Sequence, residues 1–219
     1  MRLRNIPWAR EAVAADSRCF DSPDKTKGCW HRIFGRKAPL ITEVGMGKGR
    51  FIVEMALKHP EADFVGIERY ESVMVKALAK LDRRAAEGKP VPENVRFLRM
   101  DAADMPDFFE KDEIDRIYLN FSDPWPKERH AKRRLVSGRF LSVFEQVLKR
   151  EGTIEFKTDN RGLFDFGLSE IGPAGWELLY STYDLHSDNG AMKDNVMTEY
   201  EEKFSAKGNR ICKFIICKK

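Results

Sequence analysis

Apolar residues along this chain come in short blocks whose period changes from one block to the next. Pro39 to Val44, Asp63 to Ile67, Val95 to Met100, Ile114 to Asn120 and Thr153 to Lys157 are compact apolar runs, the pattern of strands. Between them, Lys48 to Lys58 places Phe51, Ile52, Met55 and Ala56 at helical spacing, and Glu71 to Ala86 does the same with Val75, Leu78, Ala79 and Ala86. Gly138 to Lys149, carrying Phe140, Leu141, Phe144, Val147 and Leu148, and Leu163 to Ile171 are two further predicted helices. Such alternation predicts an α/β fold of three layers, a mostly parallel sheet with helices on both faces. The last part departs from it. Trp176 to Leu185 and Arg210 to Cys217 are strand-like runs joined by a long polar loop with no strong crossover helix, which predicts an antiparallel pair and so a mixed sheet. Residues 1–27 show no strong period and are expected to form an arm on one domain spanning 28–219.

With 219 residues, 42% hydrophobic and 34% charged, the chain can build one full core and is short for two ordinary domains. No apolar run approaches the roughly 20 residues of a membrane helix. The basic start, Met1 to Val13, lacks the apolar stretch of a secretory signal, so a cytoplasmic protein is expected. The cysteines, Cys19, Cys29, Cys212 and Cys217, match no common zinc spacing. Reduced thiols and no metal are the expectation. A net charge of only +4 leaves any nucleic-acid reading to local clusters.

Two stretches carry chemistry. Glu43-Val44-Gly45-Met46-Gly47-Lys48-Gly49-Arg50 follows a strand and opens a helix, and its glycines allow a sharp turn and close approach of a ligand to the backbone. The pattern is GxGxG, not the dinucleotide GxGxxG, which argues against a nicotinamide enzyme. Acids stand at three successive strand ends: Glu43, Glu68 and Asp101. Each alone reads equally as a helix cap. Together they line the carboxyl ends of the strands, where α/β sheets bind ligands. An acidic pocket repels pyrophosphate and suits S-adenosylmethionine, which carries an ammonium and a sulfonium and no phosphate.

The second stretch, Ile114 to Arg134, runs from an apolar strand to an acid among turn residues, Ser122-Asp123-Pro124-Trp125-Pro126, and then turns basic. Lys127, Arg129, Lys132, Arg133 and Arg134 stand there against the single acid Glu128. A solvated charged face is the plain alternative. Directly after an acid at a strand end, however, the cations suggest a reactive pocket beside a polyanion. Trp125 is either a stacking platform for a base or a cover over the sheet end.

On these residues the chain resembles the class I methyltransferases and, within them, the bacterial tRNA (guanine-N7-)-methyltransferases. The resemblance covers nearly the whole chain. It rests on Arg2-Leu3-Arg4-Asn5 with Pro7-Trp8-Ala9, the Glu43–Gly49 loop, Gly66-Ile67-Glu68, Leu119 to Lys127 with Arg129 to Arg134, Phe156-Lys157-Thr158-Asp159-Asn160 and Thr198-Glu199-Tyr200-Glu201. Ser122 departs from it, since the family usually has proline before the aspartate. The resemblance implies a Rossmann-like fold with a mixed seven-stranded sheet whose last strand is antiparallel. It implies S-adenosylmethionine as cofactor and tRNA as partner, with methylation of guanine N7 in the variable loop. Glu43, Gly45, Gly47, Glu68, Asp101 and Asp123 would then line the cofactor site. Lys127, Asp159, Thr198, Glu199, Tyr200 and Glu201 would contact the substrate, and Arg129, His130, Ala131, Lys132, Arg133 and Arg134 the RNA.

Guanine N7 has an in-plane lone pair and no proton, so its methylation needs alignment and no obligate general base. Positive charge passes to the purine, which a nearby carboxylate stabilises. Asp123 is the first choice for that acid, and Asp159, Glu199 and Glu201 are candidates for reading the Watson–Crick edge. The histidines are assigned no catalytic role: His59 ends a helix and His31 and His186 lack visible partners. Two rivals remain: methylation of an exocyclic amine, whose D/N-P-P-aromatic motif the order Asp123-Pro124-Trp125-Pro126 only partly matches, and a catalytically inactive tRNA-binding protein of the same fold. The sequence leaves monomer and homodimer open.

Overall fold

The computed structural model describes residues 6–219, so Arg2, Leu3, Arg4 and Asn5 of the family match lie outside the described residues. The chain divides into two compact units, Met1–Glu110 and Lys111–Lys219.

In the first unit the elements run α1 (Ala9–Ala15), β1 (Cys19–Phe20), α2 (Pro23–Thr26), α3 (Trp30–Phe34), β2 (Leu40–Val44), α4 (Arg50–Lys58), β3 (Asp63–Glu68), α5 (Glu71–Ala86), β4 (Val95–Arg99) and α6 (Met105–Phe108). The four strands are parallel and ordered β1-β4-β3-β2. Phe64, Val65, Phe97 and Leu98 are wholly buried, as expected where helices cover a parallel sheet. The long helix α5 buries Met74, Val75, Ala77, Leu78 and Leu81. The expected apolar positions Ala79 and Ala86 are exposed instead, because the buried stripe follows 74, 77, 78 and 81. The expected arm is not bare. It holds α1, packed on α5 through buried Ala9 and Val13, and β1, which pairs with β4. That two-residue strand brings the described strands to eight, one beyond the seven expected.

In the second unit the order is β5 (Ile114–Asn120), α7 (Gly138–Val147), β6 (Leu148–Thr158), α8 (Arg161–Ile171), β7 (Trp176–Thr182), α9 (Asn189–Met192), α10 (Glu199–Ser205) and β8 (Cys212–Lys218). Here the strand order is β5-β6-β8-β7. β8 runs antiparallel to both neighbours, so the predicted terminal hairpin is present and its second strand lies inside the sheet. β6 starts five residues before the predicted Thr153, and Leu148 belongs to it and not to the preceding helix. The β5–β6 register shifts between Ile114 and Arg116. Gly152 permits this, since a side chain there would stand 2.9 Å from Asp115 O.

Candidate active site

In the first unit the chain leaves β2 through Gly45, Gly47 and Gly49, with φ of 78°, 56° and 71°. These left-handed values strain any side-chain-bearing residue. The N–H groups of Gly45 and Met46 both donate to Ile67 O at 2.9 Å, tying the loop to the end of β3. Gly66 of β3 makes room for it, because a Cβ there would run into Met46 Sδ. Beside Gly45 and Gly47 themselves the space is open, with nothing within 4 Å of a Cβ built at either.

Around this cradle stand three carboxylates on neighbouring strands. Glu43, at the end of β2, is 2% exposed. Glu68 ends β3; one of its oxygens accepts the Gly47 N–H at 3.1 Å and the other those of Arg69 and Tyr70 at 2.8 and 3.1 Å. Asp101 follows β4, accepts from Ala103 N at 3.1 Å and pairs with Arg69 at 3.2 Å. The helix-cap reading thus holds for Asp101, which caps a short 3-10 turn, while Glu68 braces the glycine loop itself. An open backbone cradle among carboxylates fits a cationic donor with ribose hydroxyls better than a pyrophosphate.

In the second unit β5 ends in the loop Phe121–Pro126. Phe121 N donates to Lys157 O at 2.8 Å, so the loop leaves from the register of β5 on β6. Phe121 and Trp125 both take left-handed backbone, φ 51° and 41°, a costly conformation for residues with side chains. Asp123 stands between them in the sequence and is exposed, as are Lys127, Arg129, Lys132 and Arg133, while His130 and Ala131 are half-buried. The Trp125 ring has Arg133 over it at 5.0 Å and His130 edge-on at 5.6 Å. Phe121, Tyr200 and Phe204 form an aromatic stack with centroids 4.9 and 4.1 Å apart, and Tyr200 stays 42% exposed. Asp159, just past β6, accepts from Asn209 Nδ2 at 2.8 Å and hydrogen-bonds Tyr200, and Asn160 caps α8. Thr198 caps α10 by accepting from Glu201 N at 2.9 Å, and Glu199 is half-buried in its first turn.

Glu201 differs from the other substrate candidates. It is 0% exposed. Lys157 Nζ donates to its Oε2 at 2.7 Å, Asn195 Nδ2 donates to Oε1 at 2.8 Å, and His186 Nε2 lies 3.0 Å from Oε1. Lys157 also donates to Asn195 Oδ1 and Val196 O. Burial pushes the Glu201 carboxyl up, and the Lys157 ammonium with its hydrogen bonds outweighs this, leaving it below the ordinary value. This carboxylate pins the segment from Asn195 to Thr198 onto β6. Sequence reasoning missed Lys157, Asn195 and the partner of His186. The available signals were a lysine among apolar strand residues and its place in the Phe156–Asn160 family match, and neither reveals partners that lie 38 and 44 residues away. Among the cysteines, burial raises the Cys19 thiol to about 12 and also raises that of Cys212, consistent with packing thiols. Among the described residues no helix is long and apolar enough to cross a membrane.

Comparison with known proteins adds a third line of observation. A family described as "putative methyltransferase" matches residues 37–214. The tRNA (guanine-N(7)-)-methyltransferase of Lachnoclostridium phytofermentans is 48% identical across 98% of this chain and 97% of its own. That of Lysinibacillus sphaericus is 50% identical across 96% and 95%. Among solved structures, the chain is similar to an antibiotic-related methyltransferase (TM-score 0.62, 21% identity, 90% of this chain and 92% of that one). It is similar also to the 16S rRNA methyltransferase KamB (TM-score 0.66, 13% identity, 89% and 94%). At those identities the structures speak to the fold alone: the Rossmann-like α/β fold of class I methyltransferases.

Proposed function

Because the chain belongs to the family of tRNA (guanine-N7-)-methyltransferases, we propose that it transfers a methyl group from S-adenosylmethionine to N7 of a guanine in the tRNA variable loop. The donor supplies a sulfonium-bound methyl group. The open glycine cradle under Glu43, Glu68 and Asp101 is the observation that carries the donor half of this reading. Glu68 and Asp101 would accept hydrogen bonds from ribose hydroxyls and base edge, while the buried Glu43 favours a positively charged ligand.

The residues that would meet the acceptor belong to the second unit. N7 uses its lone pair to form the new C–N bond as the C–S bond breaks, and no proton has to be removed. Asp123 orients the base and stabilises the positive charge that reaches the purine. Asp159, with Tyr200 and Thr198, holds the guanine edge, and exposed Lys127, Arg129, Lys132 and Arg133 meet phosphates. N7 lies in the deep, narrow major groove of helical RNA, so the target must leave the stack. The Trp125 ring and the stack ending in Tyr200 offer it surfaces. Glu201, with both oxygens held internally, positions the Thr198–Tyr200 segment without touching substrate.

The test is labelled S-adenosylmethionine with an unmodified tRNA transcript, followed by borohydride and aniline cleavage. Label incorporation and cleavage at a variable-loop guanosine are expected. Incorporation without cleavage would assign another atom, such as an exocyclic amine. Binding without incorporation would make the protein a tRNA-binding scaffold.

A further inference from the structure

Arg134 closes the basic run after the Asp123 loop, and its side chain is used differently from those of its neighbours. Its Nε donates to Pro124 O at 3.1 Å and its Nη2 donates to Trp125 O at 3.1 Å. Its guanidinium lies over the Phe166 ring of α8 at 4.3 Å. The residue is half-buried, whereas Arg129, Lys132 and Arg133 are exposed.

The loop it holds needs a brace. Phe121 and Trp125 are both in the left-handed region. Pro124 and Pro126 have no N–H to contribute, and the buried Ser122 Oγ finds no hydrogen-bond partner. A segment with so few hydrogen bonds of its own keeps a strained conformation only when its surroundings impose it. The two carbonyls that Arg134 engages, those of Pro124 and Trp125, stand on either side of the Trp125 Cα, one and two residues after Asp123. A planar fork with two parallel donors fixes both at once and stacks on a ring, whereas a lysine ammonium presents a point charge with no plane.

We propose that Arg134 is a positioning residue for the Asp123 loop, clamped between that loop and Phe166, and not part of the phosphate-contacting surface of the adjacent cations. The proposal rests on the methyl-transfer reading above, in which Asp123 orients the acceptor base. A carboxylate displaced by about 1 Å loses on the order of 100-fold in rate, so the effect of Arg134 falls on turnover.

Arg134→Lys keeps the charge and removes the fork. It is expected to lower kcat by about 10- to 100-fold while the tRNA Kd and its salt dependence stay as in the wild type. Arg129→Ala and Lys132→Ala should do the reverse to binding, raising Kd and flattening its salt dependence. Phe166→Leu removes the stacking face from a position with no assigned RNA contact, and should reproduce the kcat loss in weaker form. Amide hydrogen exchange over residues 121–130 should rise in Arg134→Lys, a reading that does not depend on turnover. Wild-type kcat and exchange in Arg134→Lys, or a change in its salt slope equal to that of Arg129→Ala, would overturn the proposal. A wild-type protein that makes no N7-methylguanosine would instead fail the functional reading, and the exchange measurement would still decide the role of the clamp.

Discussion

Two glutamates, one in each unit, show two ways of holding a site together. Glu68 sits at a strand end and accepts from three backbone N–H groups, one from the glycine loop and two from the turn that follows its own strand. Glu201 is fully buried and is tied to a lysine 44 residues earlier in the chain. Backbone donors are fixed by the fold and stay satisfied by water when the partner is lost. A buried ion pair is different, because removing one member strands the other's charge in the interior. The glycine loop of the first unit therefore draws on Glu68 through a contact that water can replace. The site of the second unit depends on the packing of its whole interior.

The sharpest break in that comparison is Glu201→Gln. It should cost about 3–5 kcal/mol of stability by leaving Lys157 charged and buried, read as a lowered denaturation midpoint. The double variant Lys157→Met, Glu201→Leu should recover much of that loss, and a double variant no better than the single would mean that the pair's electrostatics do not dominate. Next comes Asp123→Ala, which should lower kcat by about 100- to 1,000-fold and leave donor binding only partly intact, while the melting temperature stays nearly unchanged, since Asp123 is exposed. Full activity would remove it from the mechanism. Glu68→Gln should weaken donor binding roughly 10-fold, about 1.4 kcal/mol, by turning an amide N–H toward the Gly47 N–H. Its melting temperature should barely move, and a large drop would put Glu68 in the same class as Glu201.

The smallest effect is in pH. The Glu201 carboxyl is held below its ordinary value of 4.5. A carboxyl lowered in the folded state stabilises fully above its unfolded value and loses that contribution as pH falls through the folded one. Thermal melts of the wild type should therefore decline below about pH 4.5 more steeply than those of Lys157→Met, Glu201→Leu. Parallel curves would show that other carboxylates carry the acid sensitivity.

The glycine loop, the acids at 43, 68 and 101, and the strand–helix alternation were legible because each is a local signal. A positive φ selects glycine, a strand end exposes the next side chain, and a buried parallel strand reads as an apolar run. The terminal hairpin was legible for the same reason, although its insertion of β8 between β6 and β7 was not. The basic run from Arg129 to Arg134 was legible as composition, yet nothing in six consecutive letters separates an arginine facing solvent from one turned back onto two carbonyls and a phenyl ring.

By itself, then, the sequence determined the fold class, the family, the glycine loop and the position of the Asp123 loop, since short-range sterics and periodicity encode them. Tertiary structure alone decided that Glu201 is an internal anchor, that Lys157 and His186 are its partners, and that Arg134 clamps the loop it follows. Those roles come from side chains brought together across many residues of chain. A charged group's meaning depends on which partner and how much water it meets there.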